Sequence, residues 1–97
     1  MKNAFFDSGT IYVMQVSPNN FEKVLDILYK CSVDFRVNMT DKYVTIDSTQ
    51  SGTLIAHSGD YICVSPEYYR VESCTTCEDE LKKDLVKSGF TKIIMVK

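Results

Sequence analysis

The chain has 97 residues, enough for one domain with one modest core and little room for an additional enclosed substrate pocket. Its 44% hydrophobic and 25% charged residues are the balance of a soluble globular protein, with no repeat or low-complexity segment. The net charge of −2 argues against gripping a nucleic-acid backbone, which needs a basic stripe, and is too mild to make the chain a DNA mimic by charge alone.

No apolar run approaches the roughly 18 residues that span a bilayer. The opening MKNAFFDSGT has no apolar stretch long enough for a signal peptide. The expectation is therefore a cytoplasmic protein, with no membrane partner, whose four cysteines (Cys31, Cys63, Cys74 and Cys77) are thiols. Residues 1–97 form a single domain, and 1–9 read as a loose lead-in with a turn signal at Asp7-Ser8-Gly9.

TIYVMQV (10–16) is apolar on both alternating sets, the pattern of a central strand covered on both faces. Ser17-Pro18-Asn19-Asn20 announces a helix, capped by Ser17 with Pro18 in the first position or by Asn19 with Glu22 three residues on. Phe21, Val24, Leu25 and Leu28 fall at helical spacing, with Ile27 and Cys31 beside them and charges opposite. VDFRVNM (33–39) and KYVTIDS (42–48) both alternate, and the two-residue link Thr40-Asp41 makes them an antiparallel hairpin. A polar turn over 49–52 precedes a short strand, TLIAH (53–57). Ser58-Gly59 turns the chain into DYICV (60–64), and YYRVE (68–72) completes the meander as an optional further strand.

Residues 73–88 read as a second helix, capped by Thr75 with Glu78 or Thr76 with Asp79. Cys77, Leu81 and Leu85 share one face, and Gly89 stands where a C-terminal cap belongs. TKIIMVK (91–97) closes as a strand. The fold class is α+β: an antiparallel sheet of five to seven strands with two helices, in the order β-α-β-β-β-β-(β)-α-β. If both helices cover the same face, the other stays open and invites a partner or a second copy.

Three stretches, NNFEKVLDIL (19–28), KYVTIDSTQSGTLIAHSGDYICV (42–64) and EYYRVESC (67–74), carry a resemblance. Over residues 10–74 the chain is similar to a small family of uncharacterised phage and prophage proteins. These run from an apolar strand through a helix of the type N-L-E-E-V-L-E-F-L to a hairpin, a short L-E-G-x-M strand, a P-G-D-Y-I-I turn-strand and a closing Y-P-C-K-P-x-x-F. Gly59, Asp60, Tyr61 and Ile62 match in place. Ser58 stands where the family usually has Pro, Cys74 is followed by Thr-Thr-Cys in place of the Lys-Pro, and a second helix and strand follow where the family stops. The resemblance implies a viral origin, a host-cytoplasmic setting and a compact α+β fold, with no activity to assign to any residue. Turn chemistry alone accounts for Gly59 and Asp60: a φ > 0 position and an acceptor for turn amides.

Cys74-Thr75-Thr76-Cys77 has the form of a thiol–disulfide centre opening a helix. Too few elements follow it for a thioredoxin-like fold, and Glu72, Glu78, Asp79 and Glu80 oppose a thiolate. A zinc site would need ligands beyond this one pair, from Cys31, Cys63 or His57, and both of those cysteines read more simply as small buried hydrophobes. His57 is the sole histidine and has no serine–acid arrangement around it. The four glycines are too scattered for a phosphate loop. No catalytic residue, metal or cofactor is expected.

Tyr61, Tyr68, Tyr69 and Arg70 fall within ten residues, with Tyr43 on a neighbouring strand. These residue types dominate interface energetics, and they could also stack a nucleobase and meet a phosphate. Glu78, Asp79 and Glu80 form a second candidate surface, although a helix dipole alone explains carboxylates there. The expected function is that of a phage accessory protein that binds rather than catalyses and blocks a host defence protein such as a nuclease. The alternatives are a nucleotide-signal sequestering protein, with the tyrosines and Arg70 around a dimer cleft, and a minor virion or assembly component.

Overall fold

The computed structural model describes residues 9–48, 52–66 and 68–96. The lead-in expected before Gly9, the polar turn at 49–51 and the terminal Lys97 lie outside the described residues. The chain runs β1 (Thr10–Gln15), α1 (Phe21–Lys30), β2 (Phe35–Asn38), β3 (Tyr43–Ser48), β4 (Gly52–Ala56), β5 (Tyr61–Ser65), β6 (Tyr68–Glu72), α2 (Glu78–Lys87) and β7 (Lys92–Val96). The α+β class and the element order expected from the sequence are those observed, with the optional strand present as β6.

The seven strands form two sheets rather than one. Four make a sheet in the order β6-β5-β1-β7, and three make the meander β2-β3-β4. All pairs are antiparallel except β1 with β7, which run parallel in the register Thr10↔Lys92 to Met14↔Val96. The direction of β7 follows from lengths. Two antiparallel steps, β6 to β5 and β5 to β1, make β6 parallel to β1. A ten-residue α2 returns the chain by about 15 Å, close to the length of a strand. Only Ser88–Thr91 then remain before β7, so β7 starts where β6 started and runs the same way.

The four-stranded sheet is the middle layer, and the helices lie on its opposite faces. Met14 and Val16 of the β1 segment, with Ile62 and Val64 of β5, pack against Phe21, Val24 and Leu28 of α1 and Val44, Ile46 and Ala56 of the meander. Ile11 and Val13, with Tyr61 and Cys63, pack against Leu81 and Leu85 of α2. The open-face arrangement that would follow from both helices packing together does not occur. The face opposite α2 is covered by α1 and the three-stranded sheet, because the meander folds over α1's side. As expected, β1 is covered on both faces, and β5 is buried along its whole length.

Local starts and stops refine the sequence reading. Helix α1 begins at Phe21, later than a Ser17 or Asn19 cap would place it. The Asn20 side chain is turned backwards: its Oδ1 accepts from the Ser17 N–H at 2.9 Å, and its Nδ2 donates to the Gln15 carbonyl at 2.7 Å. Ser17–Asn20 is thus a turn that leads into the helix. Helix α2 begins at Glu78 with Cys77 at its cap, because Ser73–Thr76 closes a separate turn through Thr76 N–H to Ser73 O at 3.0 Å. The β2–β3 link is four residues, Met39–Lys42, with Lys42 at φ 56° and the Asn38 side chain accepting from the Asp41 N–H at 2.8 Å. Met39 consequently leaves the strand and is 55% exposed.

Both helices end in the same bonded motif. In α2, Phe90 N–H bonds to Leu85 O and Gly89 N–H to Val86 O, with Gly89 at φ 104° as its position predicted. In α1, Val33 N–H bonds to Leu28 O and Ser32 N–H to Tyr29 O, and Ser32 takes the left-handed place at φ 57°.

The buried anchors of α2 are two leucines. Leu85→Ala is expected to cost about 2–5 kcal/mol, and Val86→Ala on the exposed side less than about 0.5 kcal/mol, as read by urea unfolding.

Candidate functional site

The hairpin β5–β6 carries the tyrosine and arginine group, and its register decides which members meet. Tyr61 pairs with Glu72, Cys63 with Arg70, Val64 with Tyr69 and Ser65 with Tyr68. Period-two alternation therefore puts Tyr61, Tyr68 and Arg70 on the α2 face and Tyr69 on the other. Tyr61 is in the core at 8% exposed. Tyr68 packs edge-on against Phe90, with ring centres 5.2 Å apart. Tyr69 donates to the Pro66 carbonyl at 3.3 Å. Burial, then the nearby Cys31 and Asp34, raise the Tyr69 phenol above its ordinary range. Arg70 bonds to Glu72 at 2.5 Å and reaches Asp84 of α2 at 3.4 Å. One chain thus does not gather these four residues into one cleft, and Arg70's charge is spent tying β6 to α2. Tyr43, on the other sheet, stacks obliquely on His57 at 5.3 Å.

The Gly59-Asp60-Tyr61-Ile62 stretch is bonded into the end of β1. Gly59 has φ 96° and donates to Val16 O at 2.7 Å, while Val16 N–H donates to Asp60 O at 2.9 Å. The Asp60 carboxylate accepts from the His57 N–H at 3.0 Å, which closes the turn as its sequence suggested. Cys74 packs here too: a Cβ on Gly59 would lie 3.3 Å from the Cys74 Cβ.

The cysteines divide in two. Cys31 and Cys63 are buried, and burial pushes their thiols up to about 11 and about 12. At Cys63, the Arg70 charge pulls back against burial and the Glu72 charge adds to it. Cys74 and Cys77 are exposed in the turn that opens α2. No group of three or more His, Cys, Asp or Glu side chains among the described residues is placed to hold a metal ion.

Among the described residues, two open surfaces stand out. The first is the outer face of the β2-β3-β4 meander. Val44, Ile46 and Ala56 point into the core, so Tyr43, Thr45 and Asp47 point out, joined across the strands by Arg36, Ile55 and His57. Ile55 is 48% exposed, and Arg36 meets Asp47 only loosely at 3.4 Å. Sequence reasoning passed over Ile55. The signal lay in GTLIA, where Leu54 and Ala56 take the inward set and leave Ile55 outside.

The second is a crevice of about 260 Å³ at the carboxyl ends of β1 and β7. Gln15, Ser17, Asn19, Asn20, Tyr61, Glu78, Met95 and Val96 line it. Of the acidic trio at the start of α2, Glu78 lines this crevice, while Asp79 and Glu80 are exposed.

Thiol chemistry checks this description. Ellman's reagent is expected to titrate two thiols in the native protein, Cys74 and Cys77, and all four after unfolding. The raised native values of Cys31 and Cys63 favour the protonated thiol in the fold. Their contribution to stability is complete below the ordinary thiol range and is lost from about pH 9 upward, through about 11 and about 12. Melting temperature measured across that range should fall, and fall less in a Cys63→Ala variant. No family model, curated protein or solved structure matches the chain.

Proposed function

We propose that this chain is a small phage-encoded accessory protein that acts by binding and not by catalysis, docking the outer face of its three-stranded sheet on a host protein and blocking it. A defence nuclease is the leading target. The resemblance over residues 10–74 supports the viral setting. The observation that carries the docking face is its composition.

An antiparallel meander with one side on the core normally presents a polar outer side. Here that side presents Tyr43, Ile55 and Arg36, with Met39 exposed at the adjoining hairpin tip. Aromatic residues, Met and Arg are enriched where protein surfaces meet, and few residues carry most of the binding energy. The same sheet ends in β2, which among the described residues pairs on one side only and leaves a strand edge for backbone hydrogen bonds. Arg36 and Asp47 are paired only at the surface, so either can be redirected to a partner at little cost.

The test is capture of a partner from bacterial lysate by the tagged chain and by Ile55→Asp, with Asp79→Ala as a surface control. The same host protein is expected with the parent and the control, and at least tenfold less of it with Ile55→Asp. Equal recovery by all three chains removes this face from the interface. Recovery of nothing removes the binding function. A concentration-dependent dimer abolished by Ile55→Asp would make a second copy the occupant.

A further inference from the structure

We propose that the crevice at the carboxyl ends of β1 and β7 binds a small organic ammonium compound, whose charged group meets the Glu78 carboxylate and whose apolar body lies against Tyr61 and Met95. The crevice is separate from the docking face, since none of Arg36, Tyr43 and Ile55 lines it.

Its position follows from the topology. At the end of β1 the chain leaves towards α1 on one face of the sheet. At the same end, α2 starts on the other face, because β6 is parallel to β1 and leads into it. Chains that depart to opposite faces leave a gap at this end of the mostly antiparallel sheet.

The walls of this gap are built. Asn20 is 8% exposed, and its amide is tied at both ends, to the Ser17 N–H at 2.9 Å and the Gln15 carbonyl at 2.7 Å. Gln15 is tied in turn, its Nε2 donating to the Gly59 carbonyl at 3.1 Å. Tyr61 is 8% exposed and lines the crevice, and its hydroxyl bonds to no described residue. No side-chain polar atom among the described residues is both buried and unpartnered, so the hydroxyl is accessible. A hydroxyl that stays accessible on a mostly buried ring can bond a ligand in the crevice.

The chemistry of the lining selects the ligand. Among the described residues, Glu78 is the sole charged lining residue, and it stands in the first turn of a ten-residue helix. One carboxylate falls well short of the six to eight oxygens that a calcium ion takes. An ammonium group needs only one charged acceptor and a hydroxyl beside it. Met95 and Val96 supply an apolar wall, and methionine adapts to varied shapes. The volume leaves room for roughly ten non-hydrogen atoms, below drug size. A free amine and an amino acid share this ammonium chemistry.

The test is titration of the ¹⁵N-labelled full chain with phenethylamine, phenylalanine and phenylacetate, followed by amide shifts. Parent, Glu78→Gln and Tyr61→Phe chains are compared, each first checked for an unchanged melting temperature. Phenethylamine, phenylalanine or both should move the amides of Gln15, Asn20, Tyr61 and Glu78. Whichever binds tighter names the source as amine or amino acid. Glu78→Gln should weaken binding about tenfold, and Tyr61→Phe about threefold. Equal or tighter binding of phenylacetate, unchanged binding by Glu78→Gln, shifts confined to other residues, or no shift with any probe would each overturn the proposal.

Discussion

Everything in this fold hangs on β1 having two apolar faces. Ile11 and Val13 serve the α2 side, and Met14 and Val16 serve the side of α1 and the meander. A strand with one polar face would support one of these layers and leave the other without a floor. Because β1 lies between β5 and β7, its alternation sets the register of both, and every buried side chain of β5 falls into line with it. The two cores share no residue; they share only the sheet between them.

The layers are not held equally. Phe21, Val24 and Leu28 anchor α1, and Cys31 extends that contact beyond the helix. Leu81 and Leu85 alone anchor α2. Arg70 supplements this thin contact, reaching from β6 to Asp84 while Glu72 holds it on its own strand. Removing Arg70 would leave Glu72 and Asp84 without their shared cation near the apolar contact, so its packing and its charge matter together. The side of the molecule with fewer buried contacts is the side with less to lose on local opening.

Much of this was legible in the sequence. The period-two runs of β2 and β3, the helical stripe Phe21-Val24-Leu28 and the glycine after α2 each have a local cause, and each appears where that cause puts it. The division into two sheets was not legible, because it depends on which strands pair, and pairing is a long-range property. The helix starts fell later than the Ser17, Asn19, Thr75 or Thr76 caps would place them, because Ser17–Asn20 and Ser73–Thr76 close turns of their own before each helix. The tyrosine and arginine group shows the same limit from the other side. That Tyr68 and Tyr69 oppose one another follows from adjacency on a strand and needs no structure. That Arg70 lies between Glu72 and Asp84 needs the placement of α2, which the sequence does not carry locally.

The placement of the crevice rests on the same long-range geometry. It exists because α2 is about as long as a strand, so β7 must start beside the start of β1 and end beside its end. Were the link after α2 long enough to cross the molecule, β7 could pair antiparallel. Val96 would then finish at the far end of the sheet, and Glu78 would face solvent with no apolar wall opposite. The acidic start of α2 therefore acquires a chemical setting from the last strand of the chain, and from the shortness of Ser88–Thr91 in particular. A carboxylate that reads in the sequence as one more dipole partner becomes, through strand direction alone, the charged wall of a recess.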